Sequence, residues 1–134
     1  MNKREFIDEY TRAFSACDYD GYSRFYAEDV VLELGSVGEI RGRQAIVDFY
    51  RAMNRAVRER LTVHQVVADE TGLAADVSME FTAHEDAPDF PIAPMKKGEV
   101  IRGGVIAFYT LNQAGKVTRI RTVRSRPIEG PLAA

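Results

Sequence analysis

The chain has 134 residues, 46% of them apolar and 28% charged, with a net charge of −2. That length and composition fit one soluble domain with a real apolar core, and the interspersed charge leaves no basic footprint for a nucleic acid. No apolar run reaches the roughly 20 residues of a membrane span, no apolar stretch follows Met1-Asn2-Lys3-Arg4-Glu5, and the single Cys17 excludes an intrachain disulfide, so a cytoplasmic protein without membrane or nucleic-acid partners is expected.

Residues 2 to about 16 read as a first helix. Phe6, Ile7, Tyr10, Phe14 and Cys17 recur at offsets of three and four, and Asn2 with Glu5 makes a capping box. Asp18 caps a second, short helix that carries Tyr22, Phe25 and Tyr26 and closes at Ala27-Glu28-Asp29. Asp29 to Leu34 reads as a strand, and Gly35, Ser36 and Gly38 punctuate a turn. Gly42 to Arg60 reads as a long third helix with Ile46, Phe49, Tyr50, Met53 and Val57 on one stripe and Arg58 and Arg60 at its C-terminal dipole end.

From Leu61 the period falls toward two. Leu61, Val63, Gln65 and Val67 share one face, Asp69-Glu70-Thr71-Gly72 turns, and Leu73 to about His84 places Val77, Met79 and Phe81 on one side. The proline-rich stretch 86–94 reads as a mobile lip over a pocket, because three prolines exclude a central strand. Glu99 to Leu111 is a strand with a bulge expected at Gly103-Gly104. Lys116 to Arg126 is the last strand, with Ile120, Thr122 and Arg124 on the inner side, and residues 127–134 read as a tail to a single domain spanning 1–134. Helices first and strands later make an α+β fold, with three helices packed over a cone-shaped, curved antiparallel sheet.

Four stretches carry a resemblance. Tyr10 to Gly21, Phe25-Tyr26-Ala27-Glu28-Asp29-Val30, Arg41 to Tyr50 and Phe108 to Val117 together resemble the nuclear transport factor 2-like superfamily, in particular its SnoaL-like polyketide cyclase and ketosteroid isomerase branches. The resemblance implies a protein that holds a small apolar molecule in the cone. One reading is a cofactor-free isomerase or cyclase acting by proton transfer beside a ketone. The other is a non-catalytic ligand-binding or dimerisation module of the same fold. Relatives of this fold pair through their sheets, which implies a homodimer across the outer face carrying Ser78, Thr82 and Ile106.

In ketosteroid isomerases a carboxylate on the first strand moves the proton while a tyrosine on the first helix and a protonated aspartic acid on a later strand stabilise the enolate, an arrangement that is itself the standard illustration of a carboxylic acid kept neutral. Tyr10 matches the tyrosine. Glu33 matches the base when counted back from Arg41-Gly42, and Leu34 when counted forward from Tyr26; strand alternation puts Leu34 with Val30 and Leu32 and leaves Glu33 outside. The oxyanion position is occupied by Ala107, which donates nothing. Epoxide hydrolases of the fold need an acid two residues after an arginine, and Gly104 stands there after Arg102.

His64 is the alternative base, since histidine titrates near neutrality. Phe14, Tyr26, Tyr50, Met53, Met79 and Phe81 are the expected apolar lining, with Ala107 and Arg124 as further ligand contacts and Arg124 placed to hold an anionic or carbonyl group. No metal is expected, because His84-Glu85-Asp86 lacks the spacing of a ligand set. No cofactor is expected either, because phosphate-loop and dinucleotide motifs are missing.

Overall fold

The computed structural model describes residues 1–35 and 37–133; Ser36 of the expected turn and Ala134 lie outside the described residues. Three helices, α1 (Lys3–Ser15), α2 (Tyr19–Ser23) and α3 (Arg43–Met53), pack against one face of a curved six-strand sheet. Its strands are β1 (Tyr26–Leu34), β2 (Gly38–Arg41), β3 (Val57–Ala68), β4 (Gly72–Ala83), β5 (Glu99–Leu111) and β6 (Val117–Ala133), in the order β2-β1-β6-β5-β4-β3. The α+β cone is as expected, but the sheet is mixed, since β1 runs parallel to β6 through Val31↔Arg119, Leu32↔Ile120 and Glu33↔Arg121.

Local chemistry accounts for the helix ends. Asn2 accepts from the Glu5 amide at 2.8 Å and closes the capping box with the Glu5 side chain, while Asp18 accepts from the Gly21 amide at 3.0 Å. The α2 helix ends at Ser23, so Tyr26 begins β1 rather than closing a helix.

The third helix is much shorter than the apolar stripe suggests. It stops at Met53, where Asn54 takes over: its side-chain amide donates to the Val57 carbonyl at 2.9 Å, its side-chain oxygen accepts from the Tyr19 hydroxyl at 3.0 Å, and its backbone carbonyl lies 3.0 Å from the His84 ring. The chain then enters β3 at Val57, four residues before the period change at Leu61 is legible. Arg58 and Arg60 therefore lie exposed on a strand, not at a helix terminus.

Residues 127–133 are not a tail. They are the end of β6, paired with β5 through Arg102↔Glu129, Val100↔Leu132 and Glu99↔Ala133. Pro127 and Pro131 are tolerated because pairing of β6 with β1 stops at Arg121, so beyond it one edge of the strand needs no N–H. Register shifts between Arg102 and Val105 put the expected bulge at Gly103-Gly104.

The main core lies between helices and sheet and is aromatic: Phe6 meets Phe25 edge-on at 5.1 Å, and Phe14 meets Tyr50 at 4.8 Å. Full burial of one such side chain stabilises by about 1.5–3 kcal/mol. A second cluster sits under the segment between β4 and β5, where Ala87, Phe90 and Met95 are buried with Phe81 and Ile101. That segment is better anchored than its sequence suggests. Ala87 and Met95 exchange backbone hydrogen bonds at 2.8 and 3.0 Å, and Phe90 packs on Phe81 at 5.1 Å.

The β3–β4 turn leaves no room for a side chain on its last residue, since a methyl group at Gly72 would sit 2.0 Å from the Tyr109 carbonyl oxygen of β5. Gly72→Ala is expected to destabilise the fold by about 1–3 kcal/mol, the usual cost of overpacking, read as a lower urea midpoint with an unchanged slope. An unchanged midpoint would mean that the hairpin is not held against β5.

Candidate functional site

Inside the cone, between α1, α3 and the inner sheet face, lie two adjoining chambers of about 80 and 170 Å3. The inner one is lined by Tyr10, Phe14, Ala107 and Tyr109, and the outer one by Phe49, Met53, Phe81, Phe90 and Arg124. Leu34, Tyr50, Glu59, Met79, Val105 and Thr122 belong to both. A further hollow of about 240 Å3 on the outer sheet face is bordered by Arg60, Glu80, Arg102 and Arg126. Most of its charges are paired, Glu80 with Arg60 at 3.2 Å and with Arg102 at 3.0 Å, and Arg126 with neighbouring Asp76 at 3.2 Å.

Glu59 is the acid of the cone. Alternation along β3 turns Val57, Glu59, Leu61 and Val63 inward and Arg58, Arg60 and Thr62 outward. Its side chain is buried, and no hydrogen bond or ion pair reaches it among the described residues. Desolvation alone pushes its pKa from 4.5 up to about 8. The Tyr50 and Tyr109 phenols flank the same space without a hydrogen-bond partner among the described residues. Burial raises both pKa values, and the Glu59 charge raises them further. Burial thus favours the neutral form of all three, in which each presents an O–H donor to whatever enters.

The expected lining is largely here: Phe14, Tyr50, Met53, Met79, Phe81, Ala107 and Arg124 all border one chamber or both. Tyr26 does not. It is fully buried behind Tyr10, and the two hydroxyls share a 2.6 Å hydrogen bond. Tyr10 borders the inner chamber, and its pKa is raised chiefly by burial.

The expected bases are elsewhere. Leu34, not Glu33, faces the chambers; Glu33 points to the outer face, where its carboxylate accepts from Arg119 and lies 3.7 Å from Arg121. His64 is exposed on the outer face, its ring 2.6 Å from Ser78 Oγ. Arg102 is also on that face, paired with Glu80. A register slip of one residue reverses a strand's faces, and that is what separates Glu33 from the cavity.

Glu59 is hidden in the sequence because the helical stripe continues to Val57 and the helical reading with it to Arg60. The available signal was V-R-E-R-L-T-V from Val57 to Val63, in which the acid holds an apolar register and the arginines alternate with it. Among the described residues no group of three or more His, Cys, Asp or Glu side chains is placed to hold a metal ion, and no helix is long and apolar enough to cross a membrane.

Fold and cavity together define a class: an α+β cone that encloses space for a small molecule between helices and sheet. The chain belongs to the SnoaL-like domain family, whose profile matches residues 7–120, within the nuclear transport factor 2-like superfamily. Among solved structures it is similar to a candidate polyketide cyclase from Xanthomonas campestris pv. campestris, with a TM-score of 0.77 and 26% identity over 90% of this chain and 87% of that one. A second candidate polyketide cyclase, from Pseudomonas putida KT2440, gives 0.76 and 26% over 93% and 92%. The Delta 5-3-ketosteroid isomerase from a Mycobacterium species shares the fold at 0.70 and 21% identity over 90% and 91%. No curated protein sequence matches the chain.

The raised pKa of Glu59 has a consequence for stability. The folded state holds this proton more tightly than the unfolded chain, so the contribution is fully present below about pH 4.5 and is lost as pH rises through about 8. Glu59→Gln removes the titration. Urea denaturation should show the variant gaining on the order of a few kcal/mol over wild type at about pH 9 and little at about pH 4. Parallel pH profiles for the two proteins would show that Glu59 is not desolvated in the fold.

Proposed function

We propose that this SnoaL-like protein binds a small apolar ketone in the cone and moves a proton on it without a cofactor, with Glu59 as the acid–base group. One observation carries the reading: a buried carboxyl without a partner among the described residues opens onto both chambers. Buried unpaired polar groups are costly, and a group poised near neutral pH suits proton transfer in both directions.

In this scheme the ionised fraction of Glu59 takes a proton from the carbon beside the ketone. The electron pair moves onto the ketone oxygen, and the protonated acid returns the proton to another carbon of the same conjugated system, which is isomerisation. In a cyclase the enolate carbon instead attacks a second carbonyl of the ligand, and Glu59 protonates the new alkoxide. The phenols of Tyr10, Tyr50 and Tyr109 are the available donors to the enolate oxygen. The family and the candidate cyclases at 26% identity support the substrate class.

A non-catalytic pocket is the alternative. It is favoured by the apolar Leu34 and Ala107 that border the cavity at the positions where the isomerase resemblance would set acids.

The test is deuterium exchange at the acidic carbon of a planar bicyclic ketone in heavy water, followed by proton resonance. Wild type should accelerate exchange, with a rate that rises with pH, is half-maximal near pH 8 and levels off above it. Glu59→Gln should lower the rate by about 10²–10⁴-fold while retaining the ketone. A wild type that binds the ketone but exchanges no faster than buffer would establish the non-catalytic pocket instead.

We also propose that a cytoplasmic homodimer forms across the outer sheet face, where Ile106 lies beside exposed Phe108 and Val123 among the paired charges. Light scattering at micromolar concentration should give about 30 kDa, twice the 15.0 kDa chain. A monomeric mass would exclude the pairing.

A further inference from the structure

Two ionisable side chains of opposite type, an acid and a guanidinium, border the outer chamber. Glu59 stands where the two chambers join, and Arg124 lines only the outer one. No other charged residue borders either chamber among the described residues. The four arginines of β6 divide sharply. Arg119 and Arg121 reach Glu33, and Arg126 reaches Asp76, all on the outer face. Arg124 alone turns inward, opposite Val105, and has no acid partner among the described residues. Nor is it an ion-pair partner of Glu59, whose raised pKa is caused by burial. Two unpaired groups of opposite type are therefore set apart along one cavity, with apolar walls of Phe49, Met53, Phe81 and Phe90 between solvent and the interior.

We infer that the ligand is an amphipathic anion, a neutral carbonyl-bearing ring system that enters first and lies against Glu59, with a carboxylate at its trailing end held by Arg124. The inference rests on the reading of the cone as a ligand pocket and adds the charge and direction of what enters. A guanidinium matches a carboxylate in shape and donor geometry, and a carboxylate left at the mouth keeps part of its hydration, so it need not be fully desolvated. The reverse orientation would bury the anion among apolar walls beside an acid, which is unfavourable on both counts.

The test uses two fluorescent ligands that differ by one charge, a hydroxynaphthoate and its methyl ester, titrated into wild type, Arg124→Gln, Arg124→Lys and Arg121→Gln. Wild type should prefer the acid over the ester by about tenfold, the scale of an exposed charge-assisted hydrogen bond. Arg124→Gln should abolish the preference while leaving ester affinity within about twofold. Arg124→Lys should retain part of the preference, and Arg121→Gln, on the outer face, should retain all of it. In wild type the preference should shrink as salt is raised, a readout that needs no variant.

Equal affinity of wild type for acid and ester, or a preference that survives Arg124→Gln, overturns the anchor and leaves the pocket standing. Failure of both ligands to bind overturns the pocket with it. A preference for the acid in a wild type without exchange activity supports the anchor while removing the proton-transfer reading.

Discussion

The register of β3 is the constraint on which the site depends, and Asn54 sets it. One side chain stops α3, donates to the Val57 carbonyl and accepts from Tyr19 of α2, while its backbone carbonyl meets His84 after β4. The Leu61 amide then donates to Ser15 Oγ at 3.0 Å, which holds the strand against α1. With both contacts in place, Val57, Glu59 and Leu61 have only one face to occupy. Shifting the strand by one residue would bury Arg58 and Arg60 in the aromatic core and expose Val57 and Leu61, a change no local hydrogen bond could offset.

That register imposes an energetic conflict inside the cone. A carboxyl in an apolar cavity is unfavourable in its charged form, and among the described residues none donates to Glu59 to relieve it. The conflict is tolerated because the surrounding aromatic shell is extensive. Tyr10 alone packs against Phe6, Phe14, Tyr22, Phe25, Tyr26 and Tyr109 with ring separations between 5.5 and 6.4 Å. Pairs of this kind contribute about 0.5–1.5 kcal/mol each beyond their burial. A rigid wall around one unsatisfied acid is a stable fold carrying a local cost, and such costs concentrate where proteins bind or react.

Much of the architecture was legible because each element carries its own local chemistry. The capping box at Asn2 and Glu5, the Asp69 turn, whose carboxylate accepts from the Thr71 and Gly72 amides, and the alternation of β4 all act within a few residues. What was illegible was decided at longer range. The stripe Ile46, Phe49, Tyr50, Met53 and Val57 fits a helical period throughout, and only the contacts of Asn54 with Tyr19 and Val57 show that the helix ends inside it. The prolines after Arg126 read as a tail, since no local pattern announces that β5 lies alongside. For the site, the apolar lining followed from periodicity, whereas Glu59 depended on a helix boundary. The choice between Glu33 and Leu34 was already favoured toward Leu34 by alternation, and the Arg119 pairing of Glu33 agrees with it.

The placement of the acid bears on how one fold supports different chemistry. Measured against the isomerase resemblance, both carboxyl positions are apolar here: Leu34 faces the chambers on β1, and Ala107 on β5. The acid is instead on β3, at the far end of the strand order from β1, yet curvature brings Leu34 and Glu59 to line the same two chambers. Glu59 therefore reaches from β3 the space that Leu34 borders from β1, and the phenols of Tyr10, Tyr50 and Tyr109 border the same space. Because both walls converge on one cavity, an acid at the Leu34 position of β1 and an acid at position 59 of β3 would face the same space on the same backbone. The scaffold fixes the cavity, and strand register decides which side chains, Glu59 among them, face into it.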